Sequence, residues 1–285
     1  MHLFAAKPGG FVDDEGIIDL EQSPADIVIL SAADSSLSAL VAAANTLPED
    51  FPSIRLANWM HLRKPAAFDL YQHKVLDSSK LVVVSLLGGQ SYWEYGFERL
   101  QTWVKAKADR HLIIVPGDDT EDDELFAAST VTETEAIRIW RFLRESGLDN
   151  SEQLFKCLAA EYLDAKYVWH EPKILPRSLI YLPSSDLATA KNPELGATFA
   201  EWQTYTEKLH VDNGRFNADT PVCVLLFYRS HLQNANSAMF DEFIACIQAQ
   251  GLNPLAIAVS SLKEAESLSL INHLIEKSNA RVILN

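Results

Sequence analysis

The stretch Leu81-Val82-Val83-Val84-Ser85-Leu86-Leu87, which runs directly into Gly88-Gly89, decides the fold class of this chain. An uncharged run of valine and leucine predicts a strand that is buried on both faces. Residues 92–107 follow with apolar side chains at helical spacing, so they predict a helix. A strand, a glycine turn and a helix in this order are typical of a βα unit in a parallel sheet.

The same alternation continues along the chain on both sides of this unit. Further strands are predicted at residues 26–30, 53–58, 111–115, 178–182, 222–228, 254–259 and from 281. Further helices are predicted at residues 35–47, 66–76, 132–146, 151–167, 194–209, 237–250 and 263–278. This order predicts an α/β protein with a doubly wound, mostly parallel sheet. We divide it into residues 1–212, an N-terminal head domain with a helical insertion at about 118–209, and residues 213–285, the truncated first half of a second Rossmann-like domain.

Composition excludes several classes of partner. The 24 Lys and Arg residues against 39 Asp and Glu residues give the 285-residue chain a net charge of −15. Such a chain, without a Lys/Arg-rich block, is a poor binder of nucleic acid or anionic membranes. Its apolar runs are far shorter than the roughly 20 residues that span a bilayer. Its three cysteines stand far apart without a CxxC pair, which favours a cytoplasmic location and argues against a disulfide framework.

The glycine turn after the strand at 81–87 is the first candidate ligand site. Ligands of open α/β sheets bind at the carboxyl ends of strands, and glycine lets the backbone approach a ligand closely. Tyr92 and Trp93 could stack on a flat ligand, and Glu94 is adjacent to them. The spacing fits neither GxGxxG nor a P-loop, so a dinucleotide or ATP site is not expected. The alternative is a tight turn whose aromatic side chains pack into a domain interface.

The segment that follows the strand at 222–228 is the second candidate site and the densest polar cluster of the chain. Arg229 can pair with a carboxylate through two hydrogen bonds. The imidazole of His231 can move a proton or bind a metal. The alternative is a capped loop in which the histidine has an internal partner.

Other clusters carry a weaker signal. The acidic run at 118–124 lacks the spacing of a calcium loop and fits the first turn of a helix, where the helix dipole favours carboxylates. His170-Glu171 is interpreted as a surface pair. The chain contains neither HExxH nor GxSxG, so the sequence predicts no resident metal site and no serine nucleophile.

Several stretches, taken in this order, resemble one family. They are Leu86-Leu87-Gly88-Gly89 with Tyr92-Trp93, then Phe227-Tyr228-Arg229-Ser230-His231-Leu232-Gln233, Gly251-Leu252-Asn253-Pro254-Leu255 and Ser260-Ser261-Leu262-Lys263. The chain resembles the N-terminal part of the large CobN subunit of aerobic cobaltochelatase, a relative of the H subunit of magnesium chelatase. The resemblance covers nearly the whole chain. One departure is Asn234-Ala235, where the family usually has Ala-Gly.

The resemblance implies a part in a metal-nitrogen bond-forming ligase. CobN-like subunits bind hydrogenobyrinic acid a,c-diamide and insert Co²⁺ into it as a substrate. Separate AAA+ partners, CobS-like and CobT-like, hydrolyse ATP, so this segment is expected to bind no cofactor and to be inactive alone. The substrate carries carboxylates and its macrocycle loses protons, so Arg229 and His231 are the first candidates, His231 as a tentative catalytic base. Tyr92, Trp93 and Glu94 are the second.

Three alternatives to a substrate-binding head stay open at this point. The segment could be a scaffold that docks the ATPase subunits without touching the macrocycle. It could belong to a tetrapyrrole-binding protein of the magnesium chelatase H type. It could also be a stand-alone α/β protein that binds a small molecule.

Overall fold

The computed structural model describes residues 16–183, 196–213, 220–234 and 236–285, and within these ranges it contains two four-stranded sheets. The strands are β1 (Ile27–Ser31), β2 (Ile54–Asn58), β3 (Leu81–Leu86), β4 (His111–Pro116), β5 (Ser178–Tyr181), β6 (Val222–Tyr228), β7 (Asn253–Val259) and β8 (Val282–Leu284). Each predicted strand is found to within one residue at its ends. The α/β class with mostly parallel sheets is therefore confirmed.

Helices connect the strands. They are α1 (Asp34–Ala44), α2 (Pro65–Lys74), α3 (Glu94–Lys105), α4 (Asp123–Ala127), α5 (Glu133–Glu145), α6 (Leu148–Tyr162), α7 (Phe199–Asn213), α8 (Ser230–Gln233), α9 (Ala238–Ala249) and α10 (Ala265–Ser278). Among the described residues, short 3-10 helices are found at η1 (Trp59–Leu62), η2 (Leu76–Ser78) and η3 (Gln90–Trp93). The predicted acidic helix start is present, because the Asp122 carboxylate accepts hydrogen bonds from the backbone N–H groups of Glu124 and Leu125.

The first compact unit comprises residues 16–32 and 52–131 of the described chain. Its sheet has the order β2-β1-β3-β4, and every pairing is parallel. Because side chains alternate between the faces of a strand, Val28 and Val82 share one face. There they pack in one core with Phe97 and Trp103 of α3. The sheet and the helix bury each other's apolar side chains, which is the main stabilisation of this unit.

The second compact unit comprises residues 33–51 and the described part of 132–285. Its sheet has the order β5-β7-β6-β8, with β6, β7 and β8 parallel and β5 antiparallel to β7. Phe240 and Ile244 of α9 pack on one face of this sheet. Trp202 of α7 and Ile271 of α10 pack on the other face. Helices on both faces make this sheet doubly wound.

The division of the chain differs from the one predicted at residue 212. Strand β5, which we assigned to the helical insertion, pairs with β7 and so belongs to the sheet of the second unit. Helix α1, which stands between β1 and β2 in the sequence, packs against α6 in the second unit. Local sequence patterns predict that a strand or helix exists. Which other strand or helix it packs against depends on the tertiary fold.

The strand orders locate the ligand-binding edge in each unit. Strand β1 lies between β2 and β3, and β6 lies between β7 and β8. In each sheet, the next two strands along the chain therefore lie on opposite sides of the central strand. In open parallel sheets, ligands bind at the carboxyl ends of the strands beside such a switch point. The glycine turn after β3 and the loop after β6 both lie at these edges.

Candidate functional site

The turn after β3 depends on its two glycines. Gly88 and Gly89 have φ angles of +86° and +76°, a region that side chains disfavour. A Cβ atom on Gly88 would also lie 3.0 Å from the ring of Tyr92. The backbone N–H of Tyr92 donates to the carbonyl oxygen of Gly89, which closes the turn into η3. The glycine pair thus lets the Tyr92 ring rest directly on the backbone.

Tyr92 and Trp93 have opposite roles. Tyr92 is 51% exposed, and its ring meets that of Trp59 edge to face with 6.2 Å between the ring centroids. Trp93 is only 3% exposed, stacks on Trp59 at 5.1 Å and donates its indole N–H to the carbonyl oxygen of Leu62. A Cβ atom on Gly96 would overlap the Trp93 ring, so the helix backbone lies against it. The Trp93 ring therefore lies in the core of the first unit, and its contact with a ligand stays a prediction.

Glu94 is exposed and begins α3. A carboxylate in the first turn of a helix is stabilised by the helix dipole, which accounts for its position without a ligand. The next residue, Tyr95, donates its hydroxyl to Asp69 at 2.8 Å, and this hydrogen bond raises the pKa of Tyr95. That bond ties α3 to α2 beside the glycine turn. Contact between Glu94 and a substrate stays a prediction.

Arg63 is a residue that the sequence analysis missed at this edge. It is exposed and follows η1, and its guanidinium carbon lies 5.7 Å from the ring centroid of Tyr92. The signal that could have found it is the run His61-Leu62-Arg63-Lys64, which places basic residues a few positions after β2 in an acidic chain. Tyr92 and Arg63 together form what we call the Tyr92 platform.

In the second unit, Arg229 supports the fold. It is half-buried, and its Nη1 donates to the carbonyl oxygens of Leu175 and Pro176 at 2.9 and 2.7 Å. Its backbone N–H donates to the carbonyl oxygen of Val259 at the end of β7. The guanidinium therefore fastens the irregular segment between α6 and β5 to the end of the sheet. The prediction of Arg229 as a carboxylate anchor is untested, but part of its donor capacity is used internally.

A second set of hydrogen bonds, also missed by sequence reasoning, holds the same loop. The side chain of Gln233 donates to the carbonyl oxygen of Glu145 at 2.6 Å, and the Gly147 N–H donates to the carbonyl oxygen of Gln233 at 3.0 Å. The buried carboxylate of Glu145 accepts from the backbone N–H of Leu175 at 3.1 Å and pairs with Arg144 at 2.7 Å. The loop after β6 is thus fixed from two sides.

His231 lies on α8 within this fastened loop. It is half-buried, with its ring 5.0 Å from the ring of Phe240, and its carbonyl oxygen accepts from the Asn236 N–H. Its role as a base stays a prediction. Among the described residues, no group of three or more His, Cys, Asp or Glu side chains could hold a metal ion.

Two further features of the structure bear on function. A surface groove of about 310 Å³ is lined by Thr134, Ile137, Arg138, Arg141 and Glu171, none of which is a predicted site residue. Arg138 is paired there with Glu171 at 3.0 Å. Within the residues that the structure describes, no helix has the length and hydropathy of a membrane span.

Comparison with known proteins gives consistent results. Residues 140–285 match the family described as CobN/Magnesium Chelatase. The chain is 43% identical over 285 residues to "Aerobic cobaltochelatase subunit CobN" of Pseudomonas aeruginosa. This match covers 100% of the chain and 21% of that protein. It is 33% identical over 288 residues to the protein of the same name from a Sinorhizobium species, again covering 21% of its length. The chain therefore spans about a fifth of the length of the curated relatives it matches.

A solved structure shows a similar fold. The catalytic subunit of cobaltochelatase from Mycobacterium tuberculosis superposes with a TM-score of 0.58 at 21% identity. The match covers 86% of this chain and 17% of that subunit. At this level of identity the similarity concerns the fold.

Proposed function

The chain belongs to the CobN/magnesium chelatase family, and from this premise we propose that it forms the N-terminal region of a large cobaltochelatase subunit. The complete subunit inserts Co²⁺, its metal substrate, into hydrogenobyrinic acid a,c-diamide in the cytoplasm, while CobS-like and CobT-like subunits hydrolyse ATP. Identity of 43% along all 285 residues supports this assignment. The reaction is that of a metal-nitrogen bond-forming ligase, and this segment alone does not catalyse it.

Within that subunit, the segment contributes to binding of the macrocycle. The observation that supports this role is the half-exposed Tyr92 ring at the carboxyl edge of the first sheet. It leans on Trp59, which is itself stacked on the buried Trp93. An aromatic face held in place by core residues loses little freedom on binding, which favours affinity for a flat apolar ligand surface.

A fluorescence titration tests this role. Hydrogenobyrinic acid a,c-diamide is added to the 285-residue chain, and quenching of its six tryptophans is followed. Tyr92→Leu is expected to weaken binding by about fivefold, because one aromatic contact contributes roughly 1 kcal/mol beyond its area. Phe243→Leu is the matched control, since Phe243 is a similarly half-exposed aromatic side chain on α9. A flat titration of the unaltered chain contradicts the substrate-binding role.

A second candidate role, docking of the ATPase subunits, is favoured by a different observation. The irregular segment between α6 and β5 exposes Val168 by 90% and Ile174 by 79%. A partner subunit that docked on this segment would remove both apolar side chains from water, which favours association. Here the segment acts as a scaffold in the multisubunit complex and does not contact the macrocycle.

The two roles give different results in one pair of variants. If the segment docks the ATPase subunits, Val168→Asp with Ile174→Asp should abolish co-purification with the CobS-like and CobT-like subunits, and the unaltered chain should not bind the corrin. If the segment binds the macrocycle, Tyr92→Leu should weaken the corrin titration, and the aspartate pair should leave both the titration and co-purification unchanged. A parallel titration with a porphyrin distinguishes a magnesium chelatase H type of specificity, in which the porphyrin binds more tightly than the corrin.

A further inference from the structure

A local positive group faces solvent at the switch point of the first sheet, in a chain whose net charge is −15. Arg63 is exposed, and among the residues that the structure describes no acidic side chain forms an ion pair with it. Two other arginines of the same unit have such partners, because Arg99 contacts Asp69 and Arg110 contacts Asp77. The guanidinium of Arg55 donates to the carbonyl oxygen of Ile54 and to the Ser23 hydroxyl. The charge of Arg63 is therefore not neutralised by a carboxylate of the described residues and can pair with an anionic ligand.

The position of Arg63 is set by the strand order. Arg63 follows β2 through η1, and Tyr92 follows β3 through the glycine turn. Since β1 lies between β2 and β3, the two side chains approach each other across its carboxyl end. The guanidinium carbon lies 5.7 Å from the Tyr92 ring centroid. This is the edge at which open α/β sheets bind ligands.

The backbone that carries Arg63 is held firmly. The Asn58 side chain accepts from the Met60 N–H at 2.9 Å and so caps η1. The Trp59 indole N–H donates to the carbonyl oxygen of Ser85 in β3 at 3.0 Å. These bonds fix η1 to the sheet before any ligand arrives, so a ligand need not organise the backbone of the site.

The Tyr92 platform joins two chemistries. An arginine fork matches a carboxylate through two parallel hydrogen bonds, and a tyrosine face accepts an apolar ring surface. We propose that Arg63 anchors a carboxylate at the rim of a macrocyclic ligand whose face rests on Tyr92. This assignment rests on the substrate-binding role proposed above and adds to it the group by which the ligand is held.

The test compares two ligands and three proteins. Hydrogenobyrinic acid a,c-diamide and a corrin with every carboxylate amidated are titrated into the 285-residue chain, Arg63→Gln and Arg141→Gln. Arg141 is the matched control, because it is also an exposed arginine and lies on α5. For Arg63→Gln we expect a Kd about ten- to a hundredfold higher for the acid, from loss of a charge-assisted pair. The amidated corrin should bind Arg63→Gln and the unaltered chain equally, and Arg141→Gln should behave like the unaltered chain.

The other outcomes overturn the assignment in distinguishable ways. If Arg63→Gln binds the acid as well as the unaltered chain does, Arg63 is not the anchor, and the substrate-binding role is unaffected. If Arg63→Gln weakens both corrins equally, no carboxylate is recognised there. If the unaltered chain binds neither corrin, the assignment and the substrate-binding role fail together. Arg63→Lys, which keeps the charge without the planar fork, should have an intermediate Kd, and an affinity equal to that of Arg63→Gln would contradict charge recognition.

Discussion

Replacement of Arg229 by alanine is expected to destabilise the second unit. The guanidinium donates to the carbonyl oxygens of Leu175 and Pro176 at 2.9 and 2.7 Å. A hydrogen bond to a charged group contributes about 1.5–3 kcal/mol when it is shielded from water. Because Arg229 is half-buried, we discount the pair to a combined loss of about 2–3 kcal/mol in the free energy of unfolding. The substitution also leaves two carbonyl oxygens without this donor.

Urea unfolding followed by far-UV circular dichroism measures this loss. A slope of roughly 2 kcal/mol per molar urea converts the loss to a fall of about 1 M in the unfolding midpoint. Hydrogen exchange should also become faster in the segment between α6 and β5, beginning with the Leu175 N–H. Arg177→Ala is the matched control, since Arg177 makes an exposed ion pair with Glu264 at 3.4 Å, and such pairs contribute about 0–1 kcal/mol.

One result would refute this reasoning. If Arg229→Ala unfolds at the same urea concentration as Arg177→Ala and yet loses affinity for the corrin, the hydrogen bonds to Leu175 and Pro176 carry little energy. Arg229 would then be a ligand contact, as the sequence alone suggested.

Three further measurements probe other parts of the structure. Gly88→Ala should lower the melting temperature more than Gly89→Ala, because both acquire strain at positive φ but only Gly88 would press a Cβ atom on Tyr92; equal effects would contradict the ring contact. Hydrogen bonds from Thr198 lower the pKa of Glu201 below its ordinary value of 4.5. The ionised carboxylate therefore stabilises the fold at neutral pH, and this stabilisation is lost as the pH falls below that value. In Glu201→Gln, the free energy of unfolding should consequently change less between pH 5 and pH 3 than in the unaltered chain. Ellman's reagent should titrate the exposed Cys246 in the native chain, whereas Cys157, whose pKa burial raises to about 12, should react only in urea.

The strands were predictable because their signal is local. An uncharged apolar run between turn residues is enough to define β3, and the order of such runs is enough to indicate parallel sheets. The pairing of β5 with β7 was not predictable, because a short strand carries no local mark of the sheet that it joins. Its antiparallel pairing also protects the β7 edge, a benefit that is visible only in the assembled sheet.

The position of the two loops at the carboxyl ends of the strands was predictable, but the burial of their side chains was not. The rule that ligands bind at carboxyl ends of parallel strands identified both loops from the sequence. It could not tell that, of two neighbouring aromatic residues, Tyr92 faces solvent while Trp93 enters the core, because the geometry of η3 decides this. Nor could it show that the partners of Arg229 lie more than 50 residues earlier in the chain.

The net charge of −15 bears less on ligand binding than its size suggests. At physiological ionic strength, exposed charges more than about 8 Å apart are largely screened from one another. Affinity for a carboxylate therefore depends on whether an arginine lies within hydrogen-bond reach and whether its charge is already engaged. The Arg229 guanidinium donates hydrogen bonds to backbone carbonyl oxygens. Arg63, by contrast, is exposed and pairs with no acidic side chain of the described residues. An acidic chain can thus hold an acidic macrocycle, provided that such an arginine stands beside an aromatic face, as Arg63 does beside Tyr92.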